Sequence, residues 1–415
     1  MAIWIRIALL LAWGGALPAE TVLHQPLRNP VSVSGVYVLA DDFRGEAAII
    51  LDGVEGLTLR DFVVKGNRAK LAQRQELPPY DRTFASWFGA GGVLVRGGAR
   101  VVIERARFEQ MAGFAVLASR VRGVTVREVT VVDSGSLKAN GRNNTTGGVL
   151  IEDGSVDWEV SQSVFERVTG NAVWTHSRYT APRNERGRVV ENRFREIGRD
   201  AVQVGHAVAV TVEANEGERI GYPKEVVDVE GGGTPVGVDT AGNVEGSRYV
   251  RNTFRDVNGK CIDLDGFHHG LIEGNRCYDL AHFGIVMNNT NPDMQSVGIR
   301  IVGNWIEGAP WGGIFVLGSG HVMERNVLRG MQRARCSEAA TAGCVFLAAE
   351  PDMLRTGIYL GERAERPAVT RGNRIVDNEI SGWRMDRACV GFGPNVKRTE
   401  NTVRGNRCRH EPGTL

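Results

Sequence analysis

A short phrase built around asparagine recurs along the chain and constrains the fold more than any other feature. In each copy, Asn follows two or three mostly apolar residues and precedes a residue that looks buried. The copies are VVENRFREIG around Asn192, YVRNTFRDVNG around Asn252, LIEGNRCYDL around Asn275, IVGNWIEGA around Asn304, VMERNVLRGM around Asn326, IVDNEISGW around Asn378 and VRGNRC around Asn406. The intervals from Asn252 to Asn275 (23 residues) and from Asn304 to Asn326 (22 residues) set the unit length, and longer intervals contain an inserted loop. A fixed period of this size predicts a repeat protein.

Each phrase is followed by a turn and a second short segment that alternates apolar residues with others. These segments are GGVLVR from Gly91, FAVLAS from Phe114, GGVLIED from Gly147, AVWTH from Ala172, AVQVGH from Ala201, PVGVDT from Pro235, CIDLDG from Cys261, GIVMNN from Gly284 and GIFVLG from Gly313. Period two predicts strands with one inward side, which stacked coils bury together. We therefore predict an all-β fold, a single-stranded right-handed parallel β-helix solenoid of about a dozen coils with inserted loops.

The repeated asparagines fit a structural role better than a catalytic one. Asn tolerates left-handed turn conformations and hydrogen-bonds neighbouring backbone, so stacked copies would satisfy amides at one corner of the coils. In this, roughly residues 30–410 resemble the pectate-lyase-like superfamily of right-handed β-helix proteins, in which asparagine ladders at a turn are common. The resemblance implies a fold and leaves the activity open, because one fold hosts many functions.

The N-terminal segment has the layout of a cleavable secretory signal. Residues 1–19 carry Arg6, an apolar run and then mostly small residues, and the run is too short and too interrupted by glycine to favour a membrane anchor. We expect residues 20–415 to form the β-helix domain and the protein to be secreted or periplasmic. The 50 basic and 48 acidic residues nearly cancel, so charge gives no argument for nucleic acid or an anionic membrane as partner.

All six cysteines lie in the C-terminal part and follow the repeat. Cys261 and Cys389 occupy one strand position, whereas Cys277 and Cys408 both follow the repeated Asn. Disulfides persist in exported proteins, although free core thiols remain the alternative because sequence does not fix connectivity. No CxxC or Cys and His ligand spacing points to a metal site. The predicted bridges are Cys261–Cys277, Cys336–Cys344 and Cys389–Cys408.

Aligning the second strands sorts their side chains into inward and outward columns. The inward columns are Val149, Val173, Val202, Val236, Ile262 and Ile285, and Ile151, Thr175, Val204, Val238, Leu264 and Met287. The outward columns are Leu150, Trp174, Gln203, Gly237, Asp263 and Val286, and Glu152, His176, Gly205, Asp239, Asp265 and Asn288. Polar and acidic residues thus collect on consecutive coils.

Three aspartates give the sharpest prediction of a catalytic site. Asp263 and Asp265 should share a face at roughly 7 Å, with Asp239 one coil, about 4.8 Å, from Asp265. Three carboxylates this close cannot all ionise freely, so at least one pKa should rise. A protonated carboxyl beside an ionised one suits glycosidic cleavage, in which one group protonates the leaving oxygen and another activates water or attacks.

This arrangement resembles that of the polygalacturonase-type β-helix hydrolases, which place three Asp residues on neighbouring strands. The resemblance implies catalytic roles for Asp239, Asp263 and Asp265. The chain departs from that family's paired Asp-Asp and Gly-His-Gly motifs, because it reads Asp263-Leu264-Asp265 and then FHHG. The same aspartates with Asn288 could instead bind Ca²⁺ in a polysaccharide lyase. A lyase also needs a base, often Lys or Arg in that family, and the outward columns beside the trio contain neither, which ranks lyase below hydrolase.

Other polar and aromatic residues of this face are candidates for substrate binding. Histidines can orient substrate or shuttle a proton, and exposed Trp can stack on a sugar ring. Four insertions, 67–90, 136–146, 178–186 and 222–234, interrupt the repeat beside these strands and predict the walls of a groove. The candidate binding residues are Glu152, Trp174, His176, Gln203, His206, His268 and Asn288.

The leading hypothesis is a secreted carbohydrate-active enzyme that cleaves glycosidic bonds of a polysaccharide or oligosaccharide by carboxylate-based hydrolysis. A Ca²⁺-dependent lyase and a non-catalytic glycan-binding surface protein are the alternatives. Uronate epimerisation ranks lowest because the Asp-Pro-His signature of β-helix alginate epimerases is absent. We expect no cofactor unless the protein is a lyase, no nucleic-acid partner, and no membrane association after signal cleavage.

Overall fold

The computed structural model describes residues 19–71, 89–177, 182–228, 234–289, 294, 296–332, 356–362 and 368–412. Nearly all of the predicted signal segment and the predicted Cys336–Cys344 bridge lie outside these ranges. Helix is confined there to one α-helical turn at Arg68–Leu71 and to 3₁₀ turns at Lys224–Val226 and Arg398–Glu400. None of the helices in these ranges is long and apolar enough to cross a membrane.

Short strands make up the rest of the regular structure. In chain order they are β1 (Glu20–Leu23), β2 (Leu27–Arg28), β3 (Gly35–Leu39), β4 (Ala47–Asp52), β5 (Thr58–Arg60), β6 (Phe62–Lys65), β7 (Gly91–Arg96), β8 (Ala99–Glu104), β9 (Arg107–Glu109), β10 (Val116–Ser119), β11 (Arg122–Arg127), β12 (Thr130–Val132), β13 (Val149–Glu152), β14 (Glu159–Ser161), β15 (Val164–Glu166), β16 (Val173–His176), β17 (Asn184–Glu185), β18 (Arg188–Val190), β19 (Arg193–Ile197), β20 (Val202–Val208), β21 (Thr211–Glu213), β22 (Glu216–Ile220), β23 (Val236–Glu245), β24 (Arg248–Val250), β25 (Thr253–Val257), β26 (Lys260–Asp265), β27 (Phe267–His268), β28 (Leu271–Glu273), β29 (Arg276–Leu280), β30 (Ile285–Asn288), β31 (Arg300–Val302), β32 (Trp305–Glu307), β33 (Ile314–Val316), β34 (Val322–Glu324), β35 (Val327–Met331), β36 (Ile358–Leu360), β37 (Arg374–Val376), β38 (Glu379–Gly382), β39 (Val390–Phe392), β40 (Thr402–Arg404) and β41 (Arg407–His410).

The strands form three long sheets that each coil visits in the same order. A 15-stranded sheet runs β2-β4-β7-β10-β13-β16-β20-β23-β26-β30-β33-β36-β39, with β17 added to β20 and β27 added to β23. A 12-stranded sheet runs from β5 to β40, and a 14-stranded sheet runs from β1 to β41. Neighbouring strands come from successive coils and pair in parallel, as between β13 and β16 or β26 and β30. The predicted all-β parallel solenoid is confirmed.

The interior is one apolar core that continues from coil to coil. Inward residues stack in register: Val149 pairs with Val173, Val173 with Val202, and Ile262 with Ile285. All five are almost completely buried. Because β-branched side chains pack well on a pleated surface, these columns bury what a single coil would expose.

An asparagine ladder occupies the corner between the 12-stranded and the 14-stranded sheets. In the middle of the ladder, Asn275 Oδ1 accepts from the backbone N–H of Asn252 at 3.0 Å and from Asn252 Nδ2 at 2.9 Å, and Asn275 Nδ2 donates to the Tyr249 carbonyl at 2.8 Å. The prediction that these residues satisfy corner amides is confirmed. The left-handed residue is the one before Asn, for example Arg251 with φ +56°. The members are Asn192, Asn215, Asn252, Asn275, Asn304, Asn326, Asn378 and Asn406.

One coil is shifted by two residues from its predicted alignment. The sequence alignment placed Val236 opposite Val202, whereas the structure pairs Val202 with Val238, and Val238 in turn with Ile262. A shift of two residues keeps every side chain on its own side of the strand, so the alternation of apolar residues could not reveal it. The outward direction of Asp239 is as predicted, but its neighbours on the adjoining coils are different.

Two of the predicted disulfides are present. Cys261 bonds to Cys277 and Cys389 to Cys408, with Cα–Cα distances of 6.0 and 5.8 Å. Each bridge joins the 15-stranded to the 14-stranded sheet within one coil, and the alternative of free core thiols is wrong for these four residues. The pairing could be predicted from the repeat, because a cysteine at the one position is accompanied by a cysteine at the other in both cases.

Candidate functional site

The outer face of the 15-stranded sheet is apolar over its first coils and polar over the next. Trp174 ends the apolar part; it is 6% exposed and lies against Phe114, with ring centroids 6.4 Å apart. This burial favours a packing role over the predicted stacking on a sugar. The apolar cluster consists of Ala47, Ile50, Leu94, Phe114, Leu117, Leu150 and Trp174.

The outward row that contains Trp174 becomes hydrophilic on the following coils. Trp174 pairs with Gln203, Gln203 with Asp239, and the pairing of the preceding residues puts Asp239 beside Asp263. Gln203 Nε2 donates to Asp239 Oδ2 at 2.7 Å. The expectation that Asp239 lies beside Asp265 is therefore wrong, because of the two-residue shift in this coil.

Lys260 forms an ion pair with Asp263. The Lys260 side chain is 14% exposed and that of Asp263 is 9% exposed, so water screens the pair little. Burial opposes the charge on Lys260, but the carboxylates of Asp263, Asp239 and Asp265 outweigh it and raise the pKa of the ammonium group. The outward columns contain neither Lys nor Arg, but they did not include Lys260, which stands one step before them at the start of β26 and lies beside Asp263.

Asp200 adds a fourth carboxyl to this region. It lies just before β20, is 5% exposed, and accepts a hydrogen bond from the Val236 N–H at 2.8 Å. Its own N–H donates to Asn171 Oδ1 at 3.1 Å, and Asn171 Nδ2 donates to Gln203 Oε1 at 2.8 Å. Asn171 and Gln203 thus connect Asp200 to Asp239 through a chain of hydrogen bonds. We call Asp200, Asp239, Asp263 and Lys260 the acidic cluster.

Burial favours protonated carboxyls within the acidic cluster. It raises the pKa of Asp200 to about 6, against the opposing effects of Arg199 and of the Val236 N–H. Burial, together with the charges of Asp200 and Asp263, holds the pKa of Asp239 well above its usual range. The predicted rise of at least one carboxyl pKa therefore follows from desolvation first and from neighbouring charge second.

An aromatic pair lies within electrostatic reach of the acidic cluster. Burial, and then the charge of Lys260, lower the pKa of His282 to about 3, so this ring is neutral. His282 lies over Trp311 with ring centroids 3.5 Å apart and planes tilted by 32°. Neither residue was predicted, because both stand in turns outside the aligned strands.

The remaining predicted residues lie on the same sheet, outside the acidic cluster. Asp265 is half-buried and lies opposite Asn288 on the next coil. Glu152 is buried and pairs in register with His176. Burial lowers the pKa of His176 to about 3 and that of His206 to about 4.

A histidine pair lies beyond the row of Asp239. The His176 and His206 rings are 6.1 Å apart and nearly perpendicular. His268 is 6% exposed and lies after Asp265 on the next strand segment. These histidines are thus on the predicted face but at the far ends of its strands.

Two of the predicted insertions contact each other at the start of these strands. Lys138 Nζ lies 2.6 Å from Asp228 Oδ2, and Asn143 accepts from the Asp228 N–H at 2.6 Å. Asn143 also donates to the Thr169 carbonyl at 2.7 Å, on the coil between them. The described parts of 136–146 and 222–234 therefore form one wall beside Asp200. Most of 67–90 and part of 178–186 lie outside the described residues.

A positional signal for the missed residues is present in the sequence. The pairing of Val236 with Lys260 and of Val202 with Val238 places Asp200, Val236 and Lys260 in one row at the heads of three strands. In GRDAVQV and NGKCIDL, a charged residue directly precedes the apolar alternation. The outward columns begin further along each strand, so they omitted this row.

The acidic cluster can hold a proton and a negative charge side by side. Asp239 accepts a hydrogen bond from the neutral amide of Gln203 and favours the protonated form, whereas Asp263 is paired with an ammonium group. Adjacent strands lie about 4.8 Å apart, so both groups can reach one bond of a ligand. General acid catalysis with a neighbouring carboxylate is the chemistry this geometry can perform.

Comparison with known proteins identifies the architecture. The family model described as "Right handed beta helix region" matches residues 147–346 and 236–409. An aspartate-to-alanine variant of the catalytic domain of a GH87 α-1,3-glucanase, solved with nigerose, aligns with TM-score 0.52 and 11% identity over 94% of this chain and 63% of that chain. The A-module of the mannuronan C-5 epimerase AlgE4 of Azotobacter vinelandii aligns with TM-score 0.53 and 13% identity over 76% of this chain and 86% of that chain.

These similarities concern the fold. The chain spans less than two thirds of the glucanase domain, and no curated protein matches it in sequence. The matched residues from 147 to 409 are nevertheless more than half of the 415, and they coincide with the coils described above. The protein therefore belongs to the right-handed parallel β-helix family.

Proposed function

We propose that this protein is a carbohydrate-active enzyme that hydrolyses glycosidic bonds at the acidic cluster. One observation carries the proposal. Asp239, which favours its protonated form, lies on the strand next to Asp263, which forms an ion pair with Lys260. Glycoside hydrolysis needs an acid and a carboxylate flanking one bond. The contact between the described parts of 136–146 and 222–234 supports a groove beside these groups.

Each residue of the cluster has a distinct role in this proposal. The Asp239 carboxyl gives its proton to the leaving glycosidic oxygen as the bond to the anomeric carbon breaks. The Asp263 carboxylate either attacks that carbon or takes a proton from the water that does so. Lys260 positions Asp263, and Asp200 raises the pKa of Asp239 through its nearby charge.

Elimination by a polysaccharide lyase is the second candidate, and Lys260 is the observation that favours it. A lyase needs a base beside the cleaved bond, and the structure brings a lysine into the cluster. The raised pKa of Lys260 keeps its amine protonated near neutral pH, which is the wrong state for a base. Hydrolysis therefore remains the preferred reaction.

A calcium ion fits the acidic cluster poorly. Ca²⁺ takes six to eight oxygen ligands, and carboxylates supply most of the charge in such sites. In the cluster, the Lys260 ammonium already pairs with Asp263, and burial opposes the charged forms of Asp200 and Asp239 by raising the pKa of each. No step of the proposed reaction passes through calcium.

The substrate class and the location of the protein belong to the same proposal. The GH87 glucanase was solved with nigerose and, in another variant, with tetrasaccharides. We extend this carbohydrate preference to the present chain and propose a polysaccharide or oligosaccharide substrate. The two disulfides support an exported, secreted or periplasmic protein.

A polysaccharide panel with two separate product assays tests the proposal. Wild-type protein should release new reducing ends without unsaturated ends that absorb in the ultraviolet. Asp239→Asn should lower turnover by about 10²-fold or more, because it removes the proton donor. Asp279→Asn, which changes an exposed aspartate of β29 in the 14-stranded sheet, is the control and should act like wild type.

Other outcomes of the panel would point to other functions. Unsaturated products that disappear in Lys260→Met would support the lyase instead. Glycan binding without any turnover of the wild-type protein would support a non-catalytic binding surface. Unchanged turnover in Asp239→Asn would remove the acidic cluster from the mechanism.

A further inference from the structure

A second group of ionisable side chains lies at the far end of the strands that carry the acidic cluster. Glu245 ends β23, His268 ends β27, and the two residues are partners in register. His269 follows directly. One potential ligand atom from each of the three lies within 4.8 Å of the other two. His268 is five residues beyond Asp263, at most about 17 Å of extended chain.

We propose that Glu245, His268 and His269 form a binding site for a divalent transition-metal ion of the zinc type. Two imidazoles and one carboxylate are a ligand set that zinc uses in sites that keep a fourth position open for water or another oxygen ligand. Ligand atoms about 2.1 Å from one tetrahedral ion are about 3.4 Å apart. Because the ligand atoms lie within 4.8 Å of one another, their separations need to shorten by at most about 1.4 Å, within the range of side-chain rotation.

His268 has the backbone hydrogen bond that commonly supports a metal-binding histidine. Its Nδ1 lies 3.2 Å from the Gly266 carbonyl oxygen, and because a carbonyl only accepts, Nδ1 is the donor. The other ring nitrogen, Nε2, is then the unprotonated one. A hydrogen bond from the second nitrogen to a carbonyl is the usual support of a metal-binding histidine.

The backbone around His269 places its ring near the His268 ring and the Glu245 carboxylate. His269 has φ +50° and donates its N–H to the Val297 carbonyl at 2.8 Å. A Cβ atom on Gly298 would lie 2.8 Å from His269 Cδ2, so a side chain at that position would displace the ring. The His269 ring thus lies over Gly298. Because it is exposed, it can rotate towards an ion.

Arg183 is the charged neighbour of this site. Its Nη2 lies 3.2 Å from Glu245 Oε2 and its Nη1 lies 3.2 Å from Asn243 Oδ1. The guanidinium engages one oxygen of Glu245, which leaves the other oxygen for the ion. Its positive charge should weaken cation binding, so Arg183→Ala should tighten it.

Zinc binding to the full chain tests the proposal. Protein without a histidine tag is stripped with a chelator, dialysed, and titrated with zinc chloride by calorimetry in the absence of glycan. We expect one zinc ion per chain, with affinity reduced at least about tenfold in His269→Ala and in Glu245→Gln, since even supporting residues of metal sites have effects of this size.

The control variant is His24→Ala. His24 is also exposed and lies 2.6 Å from a carboxylate, that of Asp42, but it has no second histidine beside it. Its removal should leave zinc affinity unchanged. The proposal fails if wild type takes up no zinc, or if His269→Ala and Glu245→Gln bind zinc as wild type does. It also fails if His24→Ala weakens binding as much as these two variants do. Because no glycan is present, none of these outcomes depends on the proposed hydrolysis.

Discussion

At the scale of single residues, the neighbours of each aspartate in the acidic cluster set its chemistry. Asp263 faces the ammonium of Lys260, whereas Asp239 faces the amide of Gln203 and two further carboxyls. An amide satisfies one oxygen of a carboxyl group without supplying charge. Two side chains of the same type on adjacent strands thus have different environments: Asp239 favours its protonated form, and Asp263 is held in an ion pair with Lys260. Different environments of neighbouring carboxyl groups are the condition for assigning them separate catalytic roles.

The raised pKa of Asp200 predicts a pH-dependent effect on stability. Folding raises the pKa of Asp200 from its ordinary value of 3.8 to about 6, because burial opposes the charged form. Its stabilising contribution is complete below pH 3.8 and is lost as the pH rises through about 6. Asp200→Asn, which stays neutral, should therefore raise the free energy of unfolding at pH 8 by on the order of 1–3 kcal/mol.

Urea unfolding at pH 8 and at pH 4 checks this prediction. The gain of Asp200→Asn over wild type should shrink towards zero at pH 4, where both side chains are largely neutral in the folded protein. Asp279→Asn, on the exposed part of β29, should change neither value. A loss of stability in Asp200→Asn that is equal at both pH values would contradict the buried, protonated state of Asp200.

At the scale of strands and turns, alternation predicts direction better than partnership. The sequence placed Asp239 and Asp263 on the outer side, and the structure does the same. The sequence analysis also placed Asp239 beside Asp265. The structure places Asp239 beside Asp263 instead, because β23 is shifted by two residues. The shift follows an insertion, 222–234. The alternation of side chains within a strand does not show how many residues belong to the insertion, so it does not fix the register of the next strand. Loop length therefore limited the prediction of the site, whereas the repeat was sufficient for the fold.

The missing half of the acidic cluster has a related cause. Asp200 lies just before β20 and Lys260 is the first residue of β26, so both stand outside the part of the strand in which inward and outward side chains alternate. Period two describes only residues inside a strand. The cysteines show the opposite case, because Cys261 and Cys277 stand at repeated positions and their bond was predicted.

The asparagine ladder predicts a substitution whose cost depends on position along the solenoid. Asn275→Ala removes four hydrogen bonds, two to Asn252, one to the Tyr249 carbonyl and one to Asn304. It leaves a buried N–H and a buried carbonyl without these partners. We expect a loss of about 2–4 kcal/mol in the free energy of unfolding, measured in urea.

Asn406→Ala is the matched variant at the end of the same ladder. Asn406 is only partly buried and contacts Asn378 and the Ile375 carbonyl, with no ladder residue beyond it among the described residues. Water can replace these hydrogen bonds, so the loss should be about 1 kcal/mol. Equal losses for both variants would mean that burial does not control the strength of the ladder.

At the scale of the whole molecule, the described strands of each coil pair only with strands of the coils next to it in the stack. The three sheets run parallel from the first strands to the last, and their strand order follows the chain. Stability in such a solenoid is close to a sum over coils and their interfaces. The acidic cluster draws on three successive coils, whereas the last coil has a neighbour on one side only within the described residues.

The disulfide of the last coil provides a test of this local stability. Cys389 precedes β39 and Cys408 lies in β41, so their bond closes the final coil over a separation of 19 residues. A loop of this size contributes about 3 kcal/mol by restricting the unfolded chain. Replacing both cysteines by alanine should therefore speed backbone hydrogen exchange in β39–β41, while β20, β23 and β26 keep their protection.

The Cys261→Ala, Cys277→Ala double variant is the matched comparison. That bond has a similar separation, 16 residues, but its coil is packed between two others. Opening this coil requires the separation of two interfaces, so exchange in β26 should rise less than exchange in β41 does in the terminal variant. Hydrogen exchange that rises equally along the whole chain in either variant would show that the solenoid unfolds as one unit, and the independence of its coils would have to be abandoned.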